Sequence, residues 1–143
     1  MTNLNSMQRV LTALSHQEAD KVPFILTLTM HGAKELGLSI KEYFSRAENV
    51  FEGQKRLMQK YQSDAYYAFL HAPLEYAAWG GEVVFVDDGP PNSGEPVIRT
   101  KHDIHKLQIP DPKTDKHLGI ALDVIRKLAV VAARTFDEGV AGE

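Results

Sequence analysis

Six histidines and a scatter of carboxylates are the side chains with chemistry to offer in this chain, since it has no cysteine. Two of the histidines, His31 and His71, follow apolar runs of strand-like composition at residues 24–29 and 65–70. Imidazole titrates near neutral pH, so a pair at neighbouring strand ends can donate a proton or a hydrogen bond to a ligand held between them. The competing reading is two partly exposed loop histidines. Asp64 and Glu75 are the nearest carboxylates. Asp64 precedes the second apolar run and should cap or pair at the opposite end of it. Glu75 opens a helix, where its charge suits the helix dipole. His102 and His105 stand three apart, with His117 downstream. Such spacing can hold a metal, but a solvated helix face produces it equally well, and no carboxylate-rich pattern completes a ligand set. No metal site is expected. Asp87-Asp88 is acidic, yet Gly89-Pro90-Pro91 beside it marks a turn. Gly80-Gly81 belongs to no phosphate-loop pattern.

Strands alternating with helices must position these residues. Met7, Val10, Leu11 and Leu14 fall at i, i+3, i+4 and i+7, which predicts a short helix with one buried apolar face. Asn5 or Ser6 can cap it. The near-continuous apolarity of residues 24–29 suits a strand covered on both faces. Capping boxes at Ser39-Ile-Lys-Glu42 and Ser45-Arg-Ala-Glu48 each start a helix. In the second, Ala47, Val50, Phe51, Leu57, Met58 and Tyr61 form the predicted buried stripe. Residues 65–70 are a second strand, 73–79 a short helix ended by Gly80-Gly81, and 82–86 a third strand. Residues 95–99 are the expected hairpin partner. Thr100 to Asp103 opens another short helix. After the rigid Ile109-Pro-Asp-Pro112, the residues Leu118, Leu122, Ile125, Leu128 and Ala132 predict an amphipathic helix over about 114–134. Residues 135–143 are read as a frayed tail. The pattern is α/β, and no linker divides it, so 1–143 is read as a single domain. Tyr66, Tyr67, Phe69 and Trp79 can line an apolar cavity or fill the core.

Composition narrows the function classes. A hydrophobic fraction of 43% and a charged fraction of 24% are ordinary globular values. A formal net charge of -3 gives no basic field for nucleic acid or an anionic membrane. Without cysteine there is neither a disulfide nor a thiolate zinc site within the chain. The N-terminal stretch has no apolar signal core, and no apolar run is long enough to span a bilayer. The expectation is a soluble, cytoplasmic protein with no cofactor held by this chain alone, and neither nucleic acid nor membrane as a partner.

Several segments together carry a resemblance. Arg9-Val-Leu-Thr-Ala-Leu-Ser-His16 is followed by Asp20-Lys-Val-Pro-Phe-Ile25, then by Trp79-Gly-Gly-Glu-Val-Val-Phe85 and Asp88-Gly-Pro-Pro91. Their order and spacing over about residues 7–128 resemble the first part of the uroporphyrinogen decarboxylase family. That family also includes methylcobamide:coenzyme M methyltransferases and other corrinoid-linked methyltransferases. The resemblance implies the N-terminal portion of a (β/α)8 TIM barrel, with an N-terminal helix and a β-hairpin insertion. Sites on such barrels sit at the C-terminal strand ends. That points to Thr27, Thr29, Met30 and His31 after the first strand, to Phe69, His71 and Glu75 after the second, and to residues 87–92. His71 and His31 are the implied catalytic residues, with Thr27, Thr29, Met30, Phe69 and Glu75 binding substrate.

The resemblance implies tetrapyrrole-related chemistry, with two branches. The decarboxylases carry an arginine-rich segment after the first strand, where guanidinium forks suit a substrate with many carboxylates. Here Thr27-Leu-Thr-Met-His-Gly32 has no arginine. They also place an aspartate where this chain has His71. Both departures favour the methyltransferase branch, whose zinc is held by His and Cys in the second half of the barrel. A (β/α)8 barrel needs about 250 residues, against 143 here. Corrinoid and zinc are therefore expected only once a second half completes the site. The alternative is a catalytically incomplete fragment, or one piece of a split barrel. Its open strand edges would drive self-association or pairing with a complementary barrel chain.

Overall fold

The computed structural model describes the backbone of residues 3–140 and the side chains of residues 3–134. In chain order the elements are α1 (Ser6–Leu14), α2 (His31–Leu36), α3 (Ile40–Phe44), α4 (Ala47–Tyr61), α5 (Leu74–Ala78), β1 (Val83–Val84), β2 (Asn92–Ser93), a 3-10 helix (Lys101–Lys106) and α6 (Lys116–Val140). The molecule is helix-rich, with one small antiparallel sheet that pairs Val83 with Ser93 and Val84 with Asn92. The hairpin partner is thus residues 92–93 rather than the expected 95–99, and the third strand shrinks to two residues. The backbone beyond them, at residues 95–99, forms no strand.

The two long predicted strands take a different form. Residues 22–28 and 65–71 contain no ladder-paired stretch. They meet at one end, where the Asp64 amide donates to the Phe24 carbonyl at 2.6 Å. The Ser63 hydroxyl accepts from the Leu26 amide at 3.3 Å and lies 3.2 Å from the Phe24 carbonyl. A side chain takes the place of the ladder there. Leu26, Leu28 and Tyr66 turn together toward Leu57 and Met58 of α4, while Ile25, Thr27 and Phe69 stay exposed. The period-2 alternation of a strand is present only over residues 25–28, without its hydrogen-bond partners.

α2 was not expected from the sequence, which showed only two glycines there. Gly37 ends it in the left-handed region at φ 68, and the Leu38 amide closes back onto the Ala33 carbonyl. Gly32 and Gly53 let α2 and α4 pack with Tyr43 wedged between them. A Cβ on Gly53 would come within 2.6 Å of the Tyr43 ring and 2.9 Å of the Gly32 Cα. The Tyr43 hydroxyl donates to the Val50 carbonyl at 3.3 Å.

Two expected caps divide. Ser39 and Glu42 form the expected capping box on α3. Ser45 does not cap α4: its hydroxyl donates to the Glu42 carbonyl at 2.7 Å, closing α3, and Arg46 is the residue before α4. Two helices that close together leave one serine to serve the first of them. Thr100 and Asp103 form the expected box, on a 3-10 helix.

The core joins Tyr43, Phe44 and Val50 to Leu70, Leu74, Val124 and Leu128. In α4, Ala47, Val50 and Leu57 are buried as expected, but Tyr61 is exposed and Gln54 takes a buried place. The Gln54 amide donates to the Leu28 carbonyl at 2.8 Å, which satisfies an extended segment that has no ladder. In α6 the deepest residue is Val124, not Ile125, which is 49% exposed. Asp115 starts that helix by accepting from the His117 and Leu118 amides, each at 2.9 Å. Its backbone runs to Val140, beyond the expected end near residue 134. The expected frayed tail lies partly outside the described residues, which stop at 140.

α1 is rotated from its predicted orientation. Asn5 caps it, exchanging bonds with Gln8. Yet Met7, Leu11 and Leu14 are exposed, Leu14 by 71%, and Arg9 is the buried residue. The charge network described next fixes that rotation.

Candidate functional site

His71 follows the second extended segment and sits deep, at 7% exposure. Its ring meets Phe44 of α3 edge-on at 5.0 Å and Phe85, just after β1, at 6.0 Å. Its Nδ1 is buried without a hydrogen-bond partner. Burial pushes the imidazole pKa below its ordinary value. His117 in the first turn of α6 pushes it further down, and Glu75 of α5 opposes in part. α5 packs on α6, which is why a residue so distant in sequence as His117 acts here. The result is a neutral imidazole, an acceptor or a single donor, in an aromatic niche.

The other expected site residues scatter around it. His31 is the first residue of α2 and is exposed, rather than ending a strand. No hydrogen bond or ring contact joins it to His71 among the described residues. The expected pair is therefore not assembled, because α2 begins directly at His31 and carries it outward. Thr27 is exposed, and Thr29 and Met30 are half-buried, with Met30 packed against the core. Phe69 is 46% exposed, its ring 6.1 Å from that of Tyr67. Glu75 lies exposed in the first turn of α5, as expected. Phe44, Phe85 and His117 were missed as neighbours of His71; no local pattern marks a contact made between separate elements.

The strongest electrostatic arrangement lies at the opposite ends of the extended segments. Arg9 Nε donates to Asp20 Oδ1 at 2.7 Å, and its Nη1 to Asp64 Oδ1 at 2.5 Å. Its Nη2 reaches the Leu4 carbonyl at 2.6 Å. Asp64 also accepts from the Ser6 hydroxyl at 2.9 Å and the Phe24 amide at 2.8 Å. The Arg9 hydrogen bond holds the Asp20 carboxyl down at about 2. Burial alone would raise Asp64, but the Phe24 amide, Ser6 and Arg9 together keep it below the ordinary range. Asp20 and Asp64 in turn raise the Arg9 pKa. Every charge has a partner, so this is a structural clasp, in keeping with the role expected of Asp64. Beside it a groove of about 830 Å³ runs between α1 and α6, lined by Val10, Met58, Tyr66, Ile125, Leu128 and Ala132 among others. Tyr66 lines it, as one of the aromatics expected at a cavity, but none of the expected catalytic or substrate-binding residues does.

Zinc does not fit the described residues. They contain no group of three His, Cys, Asp or Glu side chains able to hold a metal, and His102 and His105 form a ring pair at 6.2 Å between centroids. No helix among them is long and apolar enough to cross a membrane.

Residues 5–135 fit the family model described as uroporphyrinogen decarboxylase (URO-D). No curated protein and no solved structure matches the chain.

Proposed function

Since the chain belongs to the uroporphyrinogen decarboxylase family, we propose that its strand-end region serves tetrapyrrole-related chemistry of the corrinoid-linked methyl-transfer kind. The observation that carries this reading is the absence of arginine from residues 27–32. A porphyrinogen with many carboxylates calls for guanidinium forks near the strand ends. Thr27, Thr29 and Met30 offer uncharged contacts there instead, and His31 an imidazole in place of a guanidinium. A neutral, desolvated His71 also differs from the fixed carboxylate that N–H-rich porphyrinogen intermediates favour. Porphyrinogen decarboxylation is the other branch of the same proposal.

Absorbance titration of the purified chain with hydroxocobalamin and, separately, with uroporphyrin tests the choice. A corrinoid band shift that weakens in His71→Ala, with no response to uroporphyrin, is the expected result. A response to uroporphyrin alone would reverse the branch.

A second reading is that the chain acts by association, with another copy or with a complementary barrel chain. The exposed apolar faces of α1 and of the extended segments favour it, since uncovered apolar surface of that kind pairs or aggregates. Light scattering on the eluting chain distinguishes a discrete oligomer from a monomer. A monomer would remove self-association and leave only pairing with a complementary chain.

A further inference from the structure

We infer that His71 is an acid-sensitive wedge: protonating its ring unseats the segment that leads into α5 from the aromatic niche of Phe44 and Phe85. The inference goes beyond the proposed chemistry and needs no ligand.

Three elements converge on this ring. Phe44 comes from the end of α3, Phe85 from the segment after β1, and Leu70 and Leu74 on either side of His71 lie in the core. The residue is 7% exposed, and Nδ1 has no partner. A neutral imidazole carries one N–H and tolerates a lone pair against apolar neighbours. An imidazolium carries two N–H donors and a charge. One of those donors would face the buried surroundings of Nδ1 without an acceptor, which is costly. The ionisable groups acting on the ring are His117 from α6, which opposes protonation, and Glu75 from α5, which favours it. α3 and the segment after β1 meet the ring with Phe44 and Phe85. Glu75 is exposed and makes no hydrogen bond to the ring, so it does not pair an imidazolium held in the niche.

The direction with pH follows. In the unfolded chain the ring takes up its proton near its ordinary value, and in the folded chain only at lower pH. Stability is complete above the ordinary value of 6.5 and is lost as pH falls from there toward the folded-state value. Within that window the folded-to-unfolded ratio drops by up to about tenfold per pH unit.

The test is urea unfolding of the full chain at pH 8, 7, 6 and 5, for wild type and His71→Gln, a polar side chain that does not titrate. The wild-type midpoint should fall between pH 7 and 5, while that of His71→Gln stays level. Equal losses in both would overturn the inference. If the variant fails to fold, long-range proton–nitrogen spectra of the wild-type imidazoles decide. Titration of His71 below 6.5, with broadening of Phe44 and Phe85 signals over the same range, is expected. Titration at or above 6.5, or unmoved phenylalanine signals, would overturn it.

Discussion

Arg9→Met asks what holds α1 in place. This helix has nine residues, too few to be stable alone, and its apolar stripe faces outward. Its attachment therefore rests on Arg9, whose side chain is 6% exposed, against 3% for Asp64 and 12% for Asp20. Methionine keeps the unbranched apolar stem of the side chain but removes the guanidinium and leaves two carboxylates unpaired, with Asp64 retaining only Ser6 and the Phe24 amide. Removing one partner from a buried pair costs about 3–5 kcal/mol. Water reaching Asp20 screens part of that, so the low end, about 3 kcal/mol, is expected. That is roughly a hundredfold in the folded-to-unfolded ratio. Urea unfolding at pH 7, followed by far-ultraviolet circular dichroism, reads it directly. Adding Asp64→Asn to Arg9→Met should recover part of the loss, because the unpaired charge is gone. The pH dependence gives a second reading. Both carboxylates are held below their ordinary values, Asp20 at about 2. The wild-type advantage should be constant above the ordinary carboxylate range and shrink as pH falls through it toward 2. A loss under about 1 kcal/mol at pH 7, typical of exposed pairs, would refute the clasp. So would a double variant weaker than Arg9→Met alone.

Gly53→Ala should cost about 1–3 kcal/mol, because its Cβ would press on Tyr43 and Gly32 where α2 and α4 meet; thermal unfolding measures it. Gln54→Met keeps the volume but strips the donor from the Leu28 carbonyl. It should cost about 1–3 kcal/mol and speed amide exchange in residues 24–28. Ser39→Ala should lose about 1 kcal/mol with its capping box. Ser45→Ala, whose hydroxyl makes only an exposed bond to the Glu42 carbonyl, should stay within about 0.5 kcal/mol; equal losses in the two would contradict the cap assignment.

Local chemistry explains what was readable in the sequence. The Ser39–Glu42 and Thr100–Asp103 boxes, the glycine after α5 and the 3.6-residue stripes of α4 and α6 are all settled by neighbours within one or two turns. What depended on other elements was misread. Ser45 carries the same box pattern as Ser39, but the tight α3–α4 junction spends its hydroxyl elsewhere. The α1 stripe has the right spacing for burial, and a single arginine with two partners 11 and 55 residues away overrides it. At the site, the prominence of His71 was legible, because it follows an apolar run directly. The pairing with His31 was not, since Gly32 lies inside α2 and serves its packing against Tyr43, while Gly37 ends the helix.

The strand-like segments show how little hydrophobic pattern fixes without partners. Residues 24–29 and 65–70 have the composition of strands, and the side chains of Leu26, Leu28 and Tyr66 do seat against α4. A strand, however, is completed by its neighbours' amides and carbonyls. Among the described residues, no backbone-to-backbone bond engages residues 65–70. Gln54 and Ser63 supply side-chain substitutes at Leu26 and Leu28, and the remainder must find water or another chain. The helices close around their own core, whereas the extended segments keep Ile25, Thr27 and Phe69 exposed on their other face. Any association that covers that face would satisfy apolar and backbone groups together.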